Sequence, residues 1–431
     1  MFEDLIEIKN CSCGRDHSLV TKEYIVERGA IARLPELLKK TGTDKSPLCV
    51  YDMNTKKAAG ERVRDVLGDA EEVVFECAPG ELVHSDESTI EPLTEMFKSG
   101  KYSVGIAVGS GVITDAVRYA AFLADVPFIS VPTAASVDGF VSGSCAVTLN
   151  GSKASRPARA PIAVVADLDV IAAAPEFLAA SGVGDMVSKY LAIVEWKLGK
   201  YMCDEYYCDK IAQCTLDATD SIMQNVEGIA KRDINAYSKL IEGLLLSGIA
   251  MQLATITRPA SSFEHHFSHY LETVPGTGVD HTSLHGEKVG VGTLIATRNY
   301  PAFIDALEKI ADGAENKFTT QRAVSYFTDK PQSVQEFVAQ ENTPTVTQAL
   351  KRDLLIKNMD IIKKTAAELP DEHKILSYLQ TVGAKTTYAD LNLDRETAHR
   401  VFSTCCYIRN RFTTLRIMQD YQIFDFDTLQ I

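Results

Sequence analysis

Ser103-Val104-Gly105-Ile106-Ala107-Val108-Gly109-Ser110-Gly111 is the stretch that decides the fold. Its first six residues are apolar or small and predict a buried β-strand, the glycines predict a tight turn, and a helix is expected from about Val112. In this order, the helix N-terminus would offer unpaired N–H groups to a pyrophosphate. A tight strand–helix turn without a ligand is the alternative, and the placement of the turn between strand and helix favours the nucleotide.

Similar strand–helix alternation surrounds this stretch. Helices are expected at Ile31–Lys40, Thr89–Lys98 and Ile113–Ala124, between strands at Leu48–Tyr51, Glu72–Phe75, Ser103–Val108, Phe128–Val131 and Ile162–Ala166. This alternation predicts a parallel sheet with helices on both faces. From about Pro175 strand patterns nearly vanish, so residues 1–174 are expected to form a dinucleotide-binding α/β domain and residues 175–431 an all-helical domain that binds metal and substrate. The cleft between them is the expected place for a site.

Composition limits the partners. The chain has 431 residues, 24% charged residues and a formal net charge of −14, which argues against a nucleic-acid partner because phosphate binding needs a basic surface. The ten cysteines are scattered and the N-terminus is acidic, so we expect a reduced, cytoplasmic protein without a signal peptide. No apolar run reaches the roughly 18 residues of a membrane span.

Polar residues follow two other predicted strands. Asp52 and Asn54 come after the strand that ends at Tyr51 and could bond a cofactor ribose, although a helix N-cap is an equally good reading. The loop Pro132–Gly139 carries hydroxyl groups and one carboxylate after another apolar strand. We expect it to contact cofactor and substrate hydroxyls, with an ordinary turn as the alternative.

Three separated segments offer nitrogen and oxygen ligands for a divalent metal: Gly182-Val183-Gly184-Asp185, Glu264–His269 and Leu284–Lys288. His265 and His269 are four residues apart and would share one helix face, whereas His266 points elsewhere. Taken alone, Asp185 reads as a helix cap. The clustering of histidines favours a metal site over a solvated histidine-rich loop, and metal with nucleotide indicates redox chemistry on a hydroxyl or carbonyl group.

The segment Cys11-Ser12-Cys13, with His17, is a competing metal candidate. It has only three ligands and lies near a terminus, so a flexible entry segment is the favoured interpretation. The adjacent Cys405 and Cys406 are expected to pack a helix, since neighbouring cysteines seldom meet disulfide geometry.

Taken together, these motifs resemble the superfamily of iron-containing alcohol dehydrogenases, glycerol dehydrogenases and dehydroquinate synthases. Within it, the chain is most similar to the glycerol-1-phosphate dehydrogenases of the bacterial arabinose-operon type. The resemblance runs from about Thr21 to Phe424 and is carried by the following segments: Gly109–Gly111 with Thr114-Asp115, Val131–Gly139, Gly184–Tyr190, Glu264–His269, His285–Gly292 and Ile408–Arg416. It implies a dehydroquinate synthase-like fold.

The resemblance also implies roles for residues. Asp185, His265 and His285 would bind zinc, nickel or iron, with His265 chosen over His266 because the segment aligns with the synthases' Gly-His-Thr-Phe-Gly-His pattern. His269 would face the substrate or relay a proton, and Asp138 would act on the substrate hydroxyls. Contacts to NAD or NADP are expected from Asp52, Asn54, Gly109, Ser110, Gly111, Asp115, Thr133, Ser136 and Ser142.

The implied reaction is the reversible, NAD(P)-dependent reduction of dihydroxyacetone phosphate to sn-glycerol 1-phosphate by a homo-oligomer, a dimer or larger. Lys189 and Arg258 are candidates for the substrate phosphate by position only. Glycerol dehydrogenase and a dehydroquinate synthase-like sugar-phosphate cyclase are the alternatives within this fold, and Asp185 in place of glutamate speaks against the cyclase. A further alternative is that the protein is not an enzyme but a metabolite-binding or regulatory relative.

Overall fold

The computed structural model of the protein describes residues 7–77, 82–149 and 152–431. Its strands are β1 Glu7–Ile8, β2 His17–Ser18, β3 Glu23–Glu27, β4 Pro47–Asp52, β5 Glu71–Phe75, β6 Val104–Gly109, β7 Phe128–Pro132, β8 Ser144–Leu149, β9 Ser152–Pro157 and β10 Ala163–Asp167. Six of them form one sheet in the order β3-β10-β7-β6-β4-β5, and all of its neighbouring strands are parallel. The predicted parallel sheet is therefore confirmed.

Helices cover most of the remaining described chain. They are α1 Leu34–Thr41, α2 Met53–Thr55, α3 Glu61–Leu67, α4 Glu87–Lys98, α5 Gly111–Leu123, α6 Leu168–Ile171, α7 Glu176–Val187, α8 Lys189–Cys203, α9 Asp209–Met223, α10 Val226–Ala230, α11 Ile234–Ala254, α12 Phe263–Thr273, α13 His285–Ala306, α14 Glu308–Ala311, α15 Thr320–Ser325, α16 Gln332–Glu341, α17 Arg352–Ala366, α18 Glu372–Thr381, α19 Arg395–Thr404 and α20 Thr414–Tyr421. The predicted helical character of the chain after residue 175 is confirmed.

The central strand β6 is buried along its whole length, between β7 and β4. Parallel strands covered on both faces read as continuous apolar runs, which is why the sequence pattern finds β4, β6, β7 and β10. Gly109 pairs with Pro132 at the carboxyl ends of β6 and β7. The glycine turn and the loop after β7 therefore leave the same edge of the sheet, where ligands bind in open α/β sheets.

The chain divides into two compact units, the first comprising Met1–Gly182 with Asp220–Ile256 and the second Val183–Thr219 with Thr257–Ile431. This division differs from the single boundary expected at residues 174 and 175. Helix α11 belongs to the first unit because it packs on the segment Gly139–Val141, where the Val141 side chain lies 2.4 Å from a Cβ built on Gly248. The change of composition near Pro175 therefore marks the end of the strands and not the boundary between the two compact units.

The second unit has its own apolar core. Aromatic side chains of α12 and α13 lie at its centre, with Phe263, Phe267 and Phe303 fully buried. Cys405 and Cys406 are also buried in this core. The stretch Glu176–Cys203 has the length and mean hydropathy of a membrane span, but 89% of its apolar window is buried inside the protein, as in a core helix.

Candidate metal centre and nucleotide-binding turn

Asp185, His265 and His285 come together in the second unit. Each offers one ligand atom, and these three atoms lie within 4.8 Å of one another. Asp185 lies near the end of α7, His265 is in the first turn of α12 and His285 is the first residue of α13. Asp185 is fully buried and His265 is 5% exposed, whereas the His285 side chain is 26% exposed. Of the three ligands, His285 is therefore the most accessible to solvent.

The helices that carry the ligands are in close contact. A Cβ built on Gly184 would lie 2.3 Å from the carbonyl oxygen of Gly286, so only glycine allows α7 to approach the start of α13 this closely. Helix α12 is joined to α13 by the Ser268 hydroxyl, which lies 3.2 Å from His285 Nδ1. Backbone contact and hydrogen bonding thus fix the separation of the three ligands.

A glutamate orients each histidine ligand. His265 Nδ1 lies 2.8 Å from Glu264 Oε1, and His285 Nδ1 lies 2.9 Å from Glu272 Oε1. With Nδ1–H donating to a carboxylate, Nε2 of each ring is the unprotonated nitrogen that can bind a metal. His265 Nε2 indeed faces Asp185, at 3.4 Å from Oδ1. The donor set of two imidazole nitrogens and one carboxylate fits a divalent transition metal such as zinc, nickel or iron.

Opposite charges keep Asp185 ionised in spite of its burial. Burial alone raises the pKa of Asp185, but the Lys189 ammonium, 2.7 Å from Oδ1, and the hydrogen bond with His265 lower this pKa far below its usual range. Burial lowers the pKa of His265, but the protonated ring can donate to both Asp185 and Glu264, and these two hydrogen bonds outweigh burial and raise the pKa. A bound metal would take the place of the Nε2 proton. The carboxylate is thus held in the anionic form that a metal requires.

The other two histidines of α12 take different positions. His266 is fully buried, and neither of its ring nitrogens has a hydrogen-bond partner among the described residues. His269 is half-buried, and its ring centroid lies 5.6 Å from that of His285 and 6.1 Å from that of His265. Burial lowers the pKa of His269 well below its usual value and His285 lowers it further, so its imidazole is neutral at neutral pH.

The glycine turn after β6 depends on its first glycine. A Cβ built on Gly109 would lie 2.5 Å from Cβ of Ile113, so a side chain cannot be accommodated there. Helix α5 begins at Gly111, and no side chain caps the N–H groups of its first turn. Ser110 instead bonds Ser136, with 2.8 Å between the two hydroxyl oxygens. The uncapped N-terminus of this 13-residue helix fits a pyrophosphate.

Comparisons with known proteins identify the family. A family model described as iron-containing alcohol dehydrogenase matches residues 25–175. The chain is 30% identical over 427 residues to glycerol-1-phosphate dehydrogenase (NAD(P)+) of Geobacillus thermodenitrificans, which covers 97% of both proteins. The chain belongs to the glycerol-1-phosphate dehydrogenase family. A relative of the same name from Pyrococcus furiosus is 35% identical over 274 residues, which cover 64% of this chain and 77% of that protein.

Among solved structures, this member of the glycerol-1-phosphate dehydrogenase family is similar to a probable glycerol dehydrogenase from Sinorhizobium meliloti 1021. The TM-score is 0.60 and the identity 18%, over 93% of this chain and 95% of that one. At this identity the similarity concerns the fold alone. The predicted architecture, an α/β part followed by a helical part of the dehydroquinate synthase-like type, is confirmed.

Asp52, Asp115 and Ser142, three of the residues expected at the cofactor, form hydrogen bonds within the protein. Asp52 caps α2, with Oδ1 2.8 Å from the Thr55 N–H, and Asn54 is exposed on that short helix. Asp115 accepts hydrogen bonds from Arg118 Nη1 at 2.7 Å and from the Ala146 N–H at 3.0 Å. The Ser142 hydroxyl lies 3.1 Å from that of Ser144. Asp52 therefore acts as a helix N-cap, and Asp115 joins α5 to strand β8 through Ala146.

The loop after β7 is buried rather than an exposed turn. Thr133, Ser136 and Asp138 are each less than a tenth exposed. Asp138 Oδ2 accepts a hydrogen bond from the Ser247 hydroxyl of α11 at 2.7 Å. The Asp138 carboxylate is therefore held by α11, a helix that the sequence analysis assigned to the helical domain.

Both cations that were expected to bind the substrate phosphate already form ion pairs within the protein. Lys189 is fully buried and donates to Asp185, while Arg258 forms a two-pronged ion pair with Glu205, with Nε 2.8 Å from Oε1. Two arginines that sequence reasoning did not single out, Arg409 and Arg411, converge on the Thr257 hydroxyl. Both lie in Ile408–Arg416, a segment that resembles the family, but sequence alone does not show which of its arginines converge.

Proposed function

We propose that this protein catalyses the reversible, NAD(P)-dependent reduction of dihydroxyacetone phosphate to sn-glycerol 1-phosphate. The observation that carries the proposal is the buried ligand set Asp185, His265 and His285, in which each imidazole is backed by a glutamate. Its relatives named glycerol-1-phosphate dehydrogenase (NAD(P)+) support this reaction over the alternatives.

In this proposal Asp185, His265 and His285 hold one divalent metal, and the Gly109–Gly111 turn holds the cofactor pyrophosphate. When bound, the metal would polarise the substrate carbonyl as a Lewis acid and NAD(P)H would supply the hydride. Glu264 and Glu272 keep the two imidazoles in the tautomer that leaves Nε2 to the metal. Asp138 would position the substrate hydroxyls.

The carbonyl oxygen needs a proton as hydride arrives at the carbon. In this proposal His269 relays the proton, a role supported by its half-buried ring, whose centroid lies 6.1 Å from that of His265 and 5.6 Å from that of His285. Its lowered pKa keeps one ring nitrogen protonated and the other able to accept, so the ring can pass a proton from solvent.

The substrate phosphate would bind at Arg409 and Arg411. Burial lowers the pKa of Arg411, and the charges of Arg409 and Arg258 lower it further, so three guanidinium groups lie within electrostatic range. Arg411 donates to the carbonyl and hydroxyl of Ser261, at 2.6 and 2.8 Å, and to Thr257. These hydrogen-bond partners are neutral, and Glu205 and Glu264 act on Arg411 only through longer-range charge, so its guanidinium can still pair with an anion. Arg409 also contributes to the lowered pKa of His269, so the cluster lies near the histidines.

The proposal is tested by following NADH and NADPH oxidation after reconstitution with zinc, nickel or iron. Turnover with dihydroxyacetone phosphate is expected with at least one of these metals. A sugar-phosphate cyclase regenerates its NAD within each turnover and would show no net oxidation of added NADH. A glycerol dehydrogenase would turn over dihydroxyacetone in preference to its phosphate. Either result would contradict the proposal.

The variant Arg411→Ala separates phosphate recognition from catalysis. Loss of a charge-assisted contact is expected to lower kcat/KM for dihydroxyacetone phosphate by about 10- to 100-fold. Activity with unphosphorylated dihydroxyacetone should change little, because that substrate has no phosphate to bind. Arg395→Ala, at an exposed arginine, is the control. An equal loss for both substrates would show that Arg411 acts on the fold instead.

A further inference from the structure

The residues Cys11, Cys13 and His17 lie in an ordered hairpin, which differs from the flexible entry segment expected from sequence. Strand β1 pairs with β2 in antiparallel register, with Ile8 opposite His17. The turn that carries the cysteines is closed by a hydrogen bond from the Gly14 N–H to the Cys11 carbonyl at 2.9 Å, and Gly14 has φ 82°. A second bond, 2.8 Å long, joins the Asn10 N–H to Asp16 Oδ1. These hydrogen bonds hold the turn that carries Cys11 and Cys13 in a defined conformation.

The potential ligand atoms of these three residues converge. The Cys11 and Cys13 Sγ atoms and a His17 ring nitrogen lie within 4.8 Å of one another. Cys13 Sγ is 3.3 Å from His17 Nε2. Bond lengths of about 2.3 Å for zinc–sulfur and about 2.0 Å for zinc–nitrogen place a sulfur and a nitrogen ligand of a tetrahedron about 3.5 Å apart. The observed spacing is therefore close to that of a metal-binding set.

His17 has the orientation of a metal ligand. It is 3% exposed, and its Nδ1 lies 2.8 Å from the Leu253 carbonyl oxygen of α11. A carbonyl can only accept, so Nδ1 carries the proton and Nε2, the nitrogen facing Cys13, is left unprotonated. Metal-binding histidines are fixed by such a bond at the other ring nitrogen. Cys11 is 6% exposed and Cys13 is partly exposed, so a metal held here would be buried on the side of Cys11 and His17 and accessible to water on the side of Cys13.

We propose that Cys11, Cys13 and His17 bind a structural metal ion, zinc by the chemistry of the donors, in addition to the metal at Asp185. Two thiolates and one imidazole form a softer set than a carboxylate with two imidazoles, and they select zinc over magnesium or calcium. Water or a further thiolate supplies the fourth ligand. The ion would close the hairpin tip and, through His17 and Leu253, fasten it to α11.

Metal content, rather than activity, tests this proposal. Elemental analysis of the purified wild-type protein is expected to give two metal equivalents per chain. The double variant Cys11→Ser with Cys13→Ser should retain one equivalent and keep its dehydrogenase activity. The matched control Cys77→Ser changes an exposed cysteine and should retain both equivalents. Unchanged metal content in the double variant would overturn the proposal.

A spectroscopic measurement keeps the test independent of whether the double variant folds and of the proposed reaction. Cobalt replacing zinc at thiolates absorbs in the near ultraviolet through sulfur-to-metal charge transfer, whereas cobalt at a carboxylate–imidazole site does not. Wild-type protein and the variant His285→Ala are both expected to show this band after cobalt reconstitution. Its absence from wild-type protein, or recovery of a Cys11–Cys13 disulfide by mass spectrometry, would overturn the proposal.

Discussion

The metal centre and the nucleotide-binding turn are built in opposite ways. The ligands Asp185, His265 and His285 are side chains from three helices, and 100 residues separate the first from the last. The turn Gly109–Gly111 consists of consecutive residues whose side chains are absent or point elsewhere, so its backbone would do the binding. The first site depends on helix packing and the second on local backbone geometry.

This difference determines how each site can fail. A metal ligand is lost by removing one imidazole, and its orientation is lost by removing the carboxylate behind it. In the turn the two glycines have no side chain to remove, so these positions can be impaired only by adding atoms. Truncation should therefore break the first site and enlargement the second, and the following predictions test that contrast.

The largest effect is expected for His285→Ala. Removing one of three ligands should abolish stable metal binding and lower kcat by roughly 10³-fold or more, since the Lewis acid would be lost. Elemental analysis and a metal-replete assay check this. His281→Ala, at an exposed histidine four residues away, should leave both unchanged. Full activity in His285→Ala would remove this residue from the site.

A clash rather than a truncation is expected for Gly184→Ala. The new Cβ would lie 2.3 Å from the Gly286 carbonyl, so α7 must move away from α13 and carry Asp185 with it. We expect a loss of about 1–3 kcal/mol in the free energy of unfolding, together with weaker metal binding. Gly290→Ala is the matched control, because its nearest neighbours lie at an ordinary 3.4 Å. Denaturant unfolding distinguishes the two, and equal stability of both variants would contradict the packing argument.

A smaller effect is expected for Glu272→Gln. The amide cannot carry the negative charge that holds His285 Nδ1–H and the Lys288 ammonium, which lie 2.9 and 3.0 Å from Oε1. Metal affinity should fall by about 10- to 100-fold while the ligands themselves remain. Competition with a chelator measures this, and Glu315→Gln, at an exposed glutamate, is the control. If affinity does not change, Glu272 has no part in orienting His285.

The two sites also differ in how far sequence alone predicts them. The buried strands and the glycine turn are recognisable because a parallel sheet and a strand–helix turn leave local patterns. Strand β3 was missed since its residues are partly exposed at the sheet edge, and the β8–β9 hairpin has no long apolar run. The sequence around Asp185 alone predicts a helix cap, and only the family resemblance identifies this residue as a metal ligand. Glu272 could not be assigned, because its contact with His285 depends on how α12 packs against α13. Glu264 contacts the adjacent His265, and sequence does not predict this because neighbouring residues on a helix point in different directions.

The mildest and most selective change is Gly111→Ala. Its Cβ would lie 3.5 Å from Val137, an ordinary contact, and alanine suits the first turn of a helix, so stability should not fall. The methyl group would nevertheless project where a pyrophosphate must approach the N–H groups of α5, and KM for NAD(P)H should rise about tenfold. Metal content should stay the same, in contrast to His285→Ala. Gly143→Ala, with nothing within 4 Å of its Cβ, is the control. An unchanged KM with unchanged stability would mean that the pyrophosphate does not bind at this turn, and the contrast between the two sites would no longer hold.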